Sequence, residues 1–81
     1  MYAGIIINPD VYAELAAAGI RPGDPFLACL VSACKQLVSG DLTLKPLYGH
    51  DNWFYARACD QVLVVTVKRD RVLSLDAVTF S

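Results

Sequence analysis

The segment that most constrains the fold is Val62–Val67, a run of apolar and β-branched residues with polar residues at both ends, Asp60 and Gln61 before it and Lys68 to Arg71 after it. Thr66 is its one hydroxyl, and branching at Cβ suits that residue to a strand as it does valine. The run reads as a central strand. Trp53 to Cys59 precedes it across a short reversal and is expected to pair with it as an antiparallel hairpin. Arg71 to Phe80 follows it, and Asp76 interrupts an otherwise apolar pattern, which leaves the last strand open.

Strand periodicity assigns faces to the first of these segments. Phe54, Ala56 and Ala58 share one face, wholly apolar and suited to packing under helices. Trp53, Tyr55, Arg57 and Cys59 share the other, where aromatic surface is mixed with a hydroxyl and a charge. That face is expected to meet a partner or a folded-back terminus.

The first half of the chain carries helix signals. A short strand is expected from Tyr2 to Ile7. Asn8-Pro9-Asp10 then supplies a side-chain acceptor for a free amide, a proline at the first helical position and an acid at the positive helix end. Ile7 and Tyr12 take the positions of a hydrophobic staple. The helix should end near Gly19, with Val11, Tyr12, Leu15 and Ala18 over the sheet and Glu14 toward water. Asp24-Pro25 repeats the start signal and predicts a second helix over Pro25–Ser39, closed by Gly40. Phe26, Leu27, Leu30, Val31, Cys34, Leu37 and Val38 recur on it at helical spacing and form a broad apolar face. Leu42 to Leu47 is expected as a short strand that Pro46 confines to an edge or strand end. The fold class is therefore α+β, in the order β-α-α-β-β-β(-β), with helices packed on a mainly antiparallel sheet in a single domain over residues 1–81.

Eighty-one residues suffice for one core. With 56% hydrophobic and 19% charged residues, the chain is too apolar for a disordered segment, and the shortage of polar surface points to a homodimer or a protein heteromer. No stretch approaches the roughly twenty apolar residues of a membrane span, and no signal-peptide pattern precedes the first strand, so no membrane association and a cytoplasmic location are the expectation. A net charge of −1 gives little long-range attraction for nucleic acid. Cys29, Cys34 and Cys59 are three in number, without paired spacing. The five-residue offset of the first two projects them in different directions on one helix, so buried free thiols are expected rather than a disulfide.

No HExxH, paired CxxC, phosphate loop or dinucleotide glycine motif occurs, so no metal and no cofactor is expected. Ser32 and Ser39 lack an identified base or oxyanion donors. His50, Asp51, Tyr55 and Arg57 hold groups that suit phosphodiester chemistry in principle: a proton exchanger, a hydroxyl and a bidentate cation. With Lys68, Arg69 and Arg71, the residues His50 and Arg57 make the candidate phosphate contacts; Trp53, Tyr55 and Arg57 make the candidate interaction surface. The aspartates around the basic group weaken its field, and no catalytic residue is assigned.

The element order and the segment LYGHDNWFYARACDQVLVVTVKRDRVLSLDAV, with Leu47, Gly49, Arg57 and the hydrophobic strands that follow, resemble the RelE/ParE superfamily of toxin–antitoxin toxins. The resemblance implies a cognate antitoxin covering the toxin surface. In the RelE-like ribonucleases it implies basic, tyrosine or histidine side chains that position mRNA on the ribosome. Arg57 fits one recurring arginine position, whereas Gln61 stands where a second arginine is frequent, and VTFS replaces a basic residue followed by histidine or tyrosine. These departures direct the expectation to a small protein-binding toxin-like or regulatory protein without robust catalysis. The alternatives are a ribosome-dependent mRNA endonuclease and an unrelated inhibitor or regulatory adaptor.

Overall fold

Each α-helix begins at an acceptor side chain followed by proline. The computed structural model describes residues 1–49 and 51–79. In it Asn8 keeps extended backbone while its Oδ1 accepts the Asp10 N–H at 2.9 Å, opening α1 (Pro9–Ala17). Asp24 accepts the Phe26 N–H at the same distance and opens α2 (Pro25–Ser39). Proline costs nothing at the first helical position, because an amide there would have no intrahelical partner. Gly40 closes α2 in the left-handed region at φ 87°, a conformation that an L side chain would strain.

Five strands, β1 (Gly4–Ile7), β2 (Lys45–Pro46), β3 (Trp53–Ala58), β4 (Gln61–Val67) and β5 (Val72–Thr79), form one sheet in the order β1-β5-β4-β3-β2. The run at Val62–Val67 thus lies in the middle strand. All pairings are antiparallel except β1 with β5, so the sheet is mixed. β1 and β2 stand at opposite edges, and the intervening chain, carrying both helices, crosses one face of the sheet between them. Cys59 and Asp60 turn β3 into β4 with φ of 57° and 61°, the two positive angles that a two-residue hairpin of matching twist requires. Lys68 to Arg71 turn β4 into β5, closed by the Lys68 N–H on the Val72 carbonyl at 2.7 Å.

The core lies between the helices and one sheet face. Leu63, Val65, Leu73 and Leu75 are fully buried on the strands, and Ala56 and Val78 nearly so. Val11 and Leu15 meet them from α1, and Leu30, Ala33, Cys34 and Leu37 from α2. Each fully buried leucine or valine contributes about 1.5–3 kcal/mol relative to exposure.

Several sequence expectations change. Tyr12 is 59% exposed and Ala18 is exposed, because the single inward line of α1 is taken by the i, i+4 pair Val11 and Leu15. Glu14, expected in water, is half-buried, and its Oε2 accepts the Val78 N–H at 3.4 Å. Val31 is 53% exposed, since the apolar face of α2 is wider than the sheet beneath it. The strand expected over Leu42 to Leu47 contracts to Lys45–Pro46, while Leu42 and Leu44 pack against the core without pairing.

Asp76 does not interrupt the last strand. Val64 pairs with Ala77 and Val65 with Leu75, so Asp76 is the extra residue of a bulge. Its carboxylate accepts the Thr66 hydroxyl at 2.7 Å, the Ser74 hydroxyl at 2.8 Å and the Asn8 amide at 3.4 Å. One acid thereby satisfies the buried Ser74 and ties the start of α1 to the two longest strands.

Candidate functional site: the open face of the sheet

Pairing register decides which side chains the helices leave uncovered. Ala56 opposes Leu63 and Phe54 opposes Val65, placing both on the core side, although Phe54 is only half-buried. Trp53, Tyr55 and Arg57 therefore share the opposite face, where Trp53 is 42% exposed, Tyr55 half-buried and Arg57 exposed. Lys45 is the cross-strand partner of Tyr55, and the Leu47 N–H on the Trp53 carbonyl at 2.9 Å holds that edge in place.

Lys45, Leu47, Tyr55, Arg57 and Val62 line a groove of about 450 Å³. Two cations and a phenol face it, and no carboxylate is among its described lining residues. Arg57 also borders a second groove of about 490 Å³ at the β3–β4 turn, where Asp60, Gln61 and Thr79 contribute. A guanidinium between two grooves beside a lysine and a tyrosine can take an acidic side chain or a phosphate through paired N–H donors. Sequence reasoning missed Lys45, because its place beside Tyr55 comes from pairing across a connection of several residues rather than from spacing within a strand.

The remaining candidates lie elsewhere. Lys68, Arg69 and Arg71 occupy the β4–β5 turn, at the Trp53 end of the β3–β4 hairpin, whereas Arg57 lies near its Cys59–Asp60 end. Trp53 and Arg57 are four residue steps apart along β3, roughly 13 Å. The Arg71 guanidinium donates to the Met1 carbonyl, and the Arg71 carbonyl accepts the Ala3 N–H at 2.8 Å, so this residue fixes the start of the chain. His50 lies outside the described residues. No group of three or more His, Cys, Asp or Glu able to hold a metal gathers among the described residues.

The cysteines require a correction. Cys29 of α2 and Cys59 of the β3–β4 turn form a disulfide, their Cα atoms 6.0 Å apart. Spacing within the helix excludes a Cys29–Cys34 bond but says nothing of a partner 30 residues away, which the fold delivers. Cys29 sits one helical turn after Phe26 and one before Ala33, on the flank of α2 that faces β3. Cys34 alone is free and buried, and loss of hydration pushes its thiol pKa up.

Among the described residues, no helix is long and apolar enough to cross a membrane. Comparison with protein-family models, with curated proteins and with solved structures finds no match for this chain.

Proposed function

We propose that the chain is a small protein-binding domain of toxin-like or regulatory type, that it lacks robust catalysis of its own, and that it meets its partner on the open sheet face at Trp53, Tyr55 and Arg57. The observation that carries this reading is the asymmetry of the sheet. Both helices cover one face, and the other presents an aromatic and cationic patch on rigid strands. Tryptophan, tyrosine and arginine are the residue types that dominate binding energy at protein interfaces, since they bring large contact area or directed charge at small entropic cost. A partner with an acidic side chain opposite Arg57 and Lys45 fits this chemistry. The RelE/ParE resemblance supplies a candidate of that kind, a cognate antitoxin.

Co-expression with the product of the adjacent reading frame tests the reading. The expected result is a complex of fixed stoichiometry by light scattering that Trp53→Ala and Tyr55→Ala weaken. A parent that stays monomeric at high micromolar concentration and forms no complex counts against it. The Lys45–Tyr55–Arg57 groove favours a second reading, ribosome-dependent mRNA cleavage, because it is lined by cations without a described carboxylate. Position-resolved mRNA cleavage with translating ribosomes decides between them: robust cleavage abolished by Arg57→Ala, in a variant that stays folded, replaces the binding reading.

Compartment enters through the Cys29–Cys59 pair. A cytosolic thiol pool keeps such pairs reduced, whereas an oxidising compartment preserves them. The proposed cytoplasmic location therefore predicts alkylatable Cys29 and Cys59 in protein taken directly from its native cells under acid quench.

A further inference from the structure

The broad apolar face of α2 serves two surfaces. The line through Phe26, Leu30, Ala33 and Leu37 meets the sheet. The line through Leu27, Val31, Cys34 and Val38 turns toward α1 and β1. Between them lies a cleft of about 770 Å³, whose floor is made by Leu15, Leu30 and Cys34 and whose walls include Ile5, Ile7 and Leu27. Its size falls within the roughly 300–1,000 Å³ of small-molecule sites. Tyr12 and Val31, both more than half exposed, stand at its rim.

Lys35 is the one charged side chain among the described lining residues. Its methylene stem can follow the apolar wall while the ammonium stays at the water boundary. We propose that this cleft binds a free single-chain fatty acid, with the acyl chain against Ile5, Ile7 and Leu27 and the carboxylate on Lys35. Charge selects the occupant. A sugar or nucleotide would bring polar groups onto a hydrocarbon floor that offers them no partners, a loss of hydration without replacement. A second copy seated on the same patch would instead give a dimer that Val31→Glu dissociates. A carboxylate-ended chain puts hydrocarbon where the cleft is hydrocarbon and its negative charge where the cleft has its cation.

The proposal is tested by calorimetric titration with dodecanoate, dodecyltrimethylammonium and dodecyl maltoside, each below its micelle concentration. Dodecanoate is expected to saturate at one per chain and to bind at least tenfold more tightly than the cationic amphiphile. Lys35→Gln should weaken it at least fivefold, and Val31→Glu, a change at an exposed rim position, should abolish binding; circular dichroism checks that both variants fold. Trp53→Ala should leave dodecanoate binding unchanged, which separates this site from the sheet face. Equal affinity for all three amphiphiles, absence of saturable binding, binding that survives Val31→Glu, or a parent dimer that Val31→Glu dissociates would each overturn the proposal.

Discussion

The two faces of the sheet are made from alternate residues of the same strands, yet they are different materials. On the helix side Leu63, Val65, Leu73 and Leu75 are fully buried hydrocarbon. On the open side Thr66, Ser74 and Asp76 form a hydrogen-bonded polar centre, with Trp53, Tyr55, Lys45 and Arg57 toward one edge. The first face is held by the volume and shape of its side chains, so changes there should act on stability. The second is held by its hydrogen-bonded centre and otherwise displays side chains, so changes at its edge should act on binding. Variants on the two faces should therefore separate these effects.

The largest stability effect is expected from Leu30→Asp. Leu30 is 3% exposed between α2 and the sheet. Truncating such a leucine costs roughly 2–5 kcal/mol, and an unpaired carboxylate adds the cost of its lost hydration. A domain of this size holds only about 4–12 kcal/mol in total. Denaturant curves should show a largely unfolded population, and a midpoint equal to the parent's would refute the assignment of this face as the core.

Next in size is the covalent link between helix and hairpin. Closing a loop of 30 residues restricts the unfolded chain by about 3–4 kcal/mol. Cys29→Ser should lower the stability of oxidised protein by about that amount and should have little effect once both proteins are reduced. An equal loss under both conditions would assign the effect to packing of the Cys29 side chain instead.

What could be read in the sequence follows the same division. The helix starts at Asn8-Pro9 and Asp24-Pro25 and the stop at Gly40 are local, encoded in two or three adjacent residues, and they stand where expected. The central position of Val62–Val67 was legible because continuous β-branched sequence suits a strand with neighbours on both sides. The Cys29–Cys59 bond and the Lys45–Tyr55 pairing depend on partners distant in sequence, which periodicity does not specify. Asp76 looked like a strand breaker because period-two reasoning assumes regular pairing, and a bulge removes that assumption. The candidate site was half legible. Alternation put Trp53, Tyr55 and Arg57 on one face, but proximity of basic residues in sequence did not bring Arg57 to the Lys68–Arg71 turn.

Asp76→Ala examines the polar centre of the open face and should have the third-largest effect. Removal of the carboxylate takes the recorded acceptor from the Thr66 and Ser74 hydroxyls, and Ser74 is only 2% exposed. A buried donor left without a partner costs about 1–3 kcal/mol. Asp76→Asn retains one acceptor oxygen and should recover part of the loss. If Asp76→Ala were as stable as the parent, the carboxylate would belong with the displayed patch rather than with the scaffold, and the division between centre and edge would move.

The smallest stability effect and the largest binding effect should coincide at the edge of the same face. Arg57 is exposed, and exposed positions away from buried networks usually change stability by no more than about 0.5 kcal/mol. Trp53, 42% exposed and at the first pair of the β3–β4 ladder, should lose more on truncation, about 1 kcal/mol, because part of its ring still packs on the strands. Against the partner the order should rise steeply. Loss of an aromatic or arginine anchor at the centre of an interface costs about 2 kcal/mol or more, which is over twentyfold in affinity. Arg57→Ala should therefore keep a near-parent denaturant midpoint and Trp53→Ala a modestly lowered one, while the complexes of both dissociate at least tenfold more readily, as read by titration against the adjacent gene product. Parent-like affinity in both variants would leave the open face without a binding role. A stability loss in Arg57→Ala comparable with that of Asp76→Ala would instead make Arg57 part of the scaffold, because a displayed side chain has few contacts within its own domain to lose.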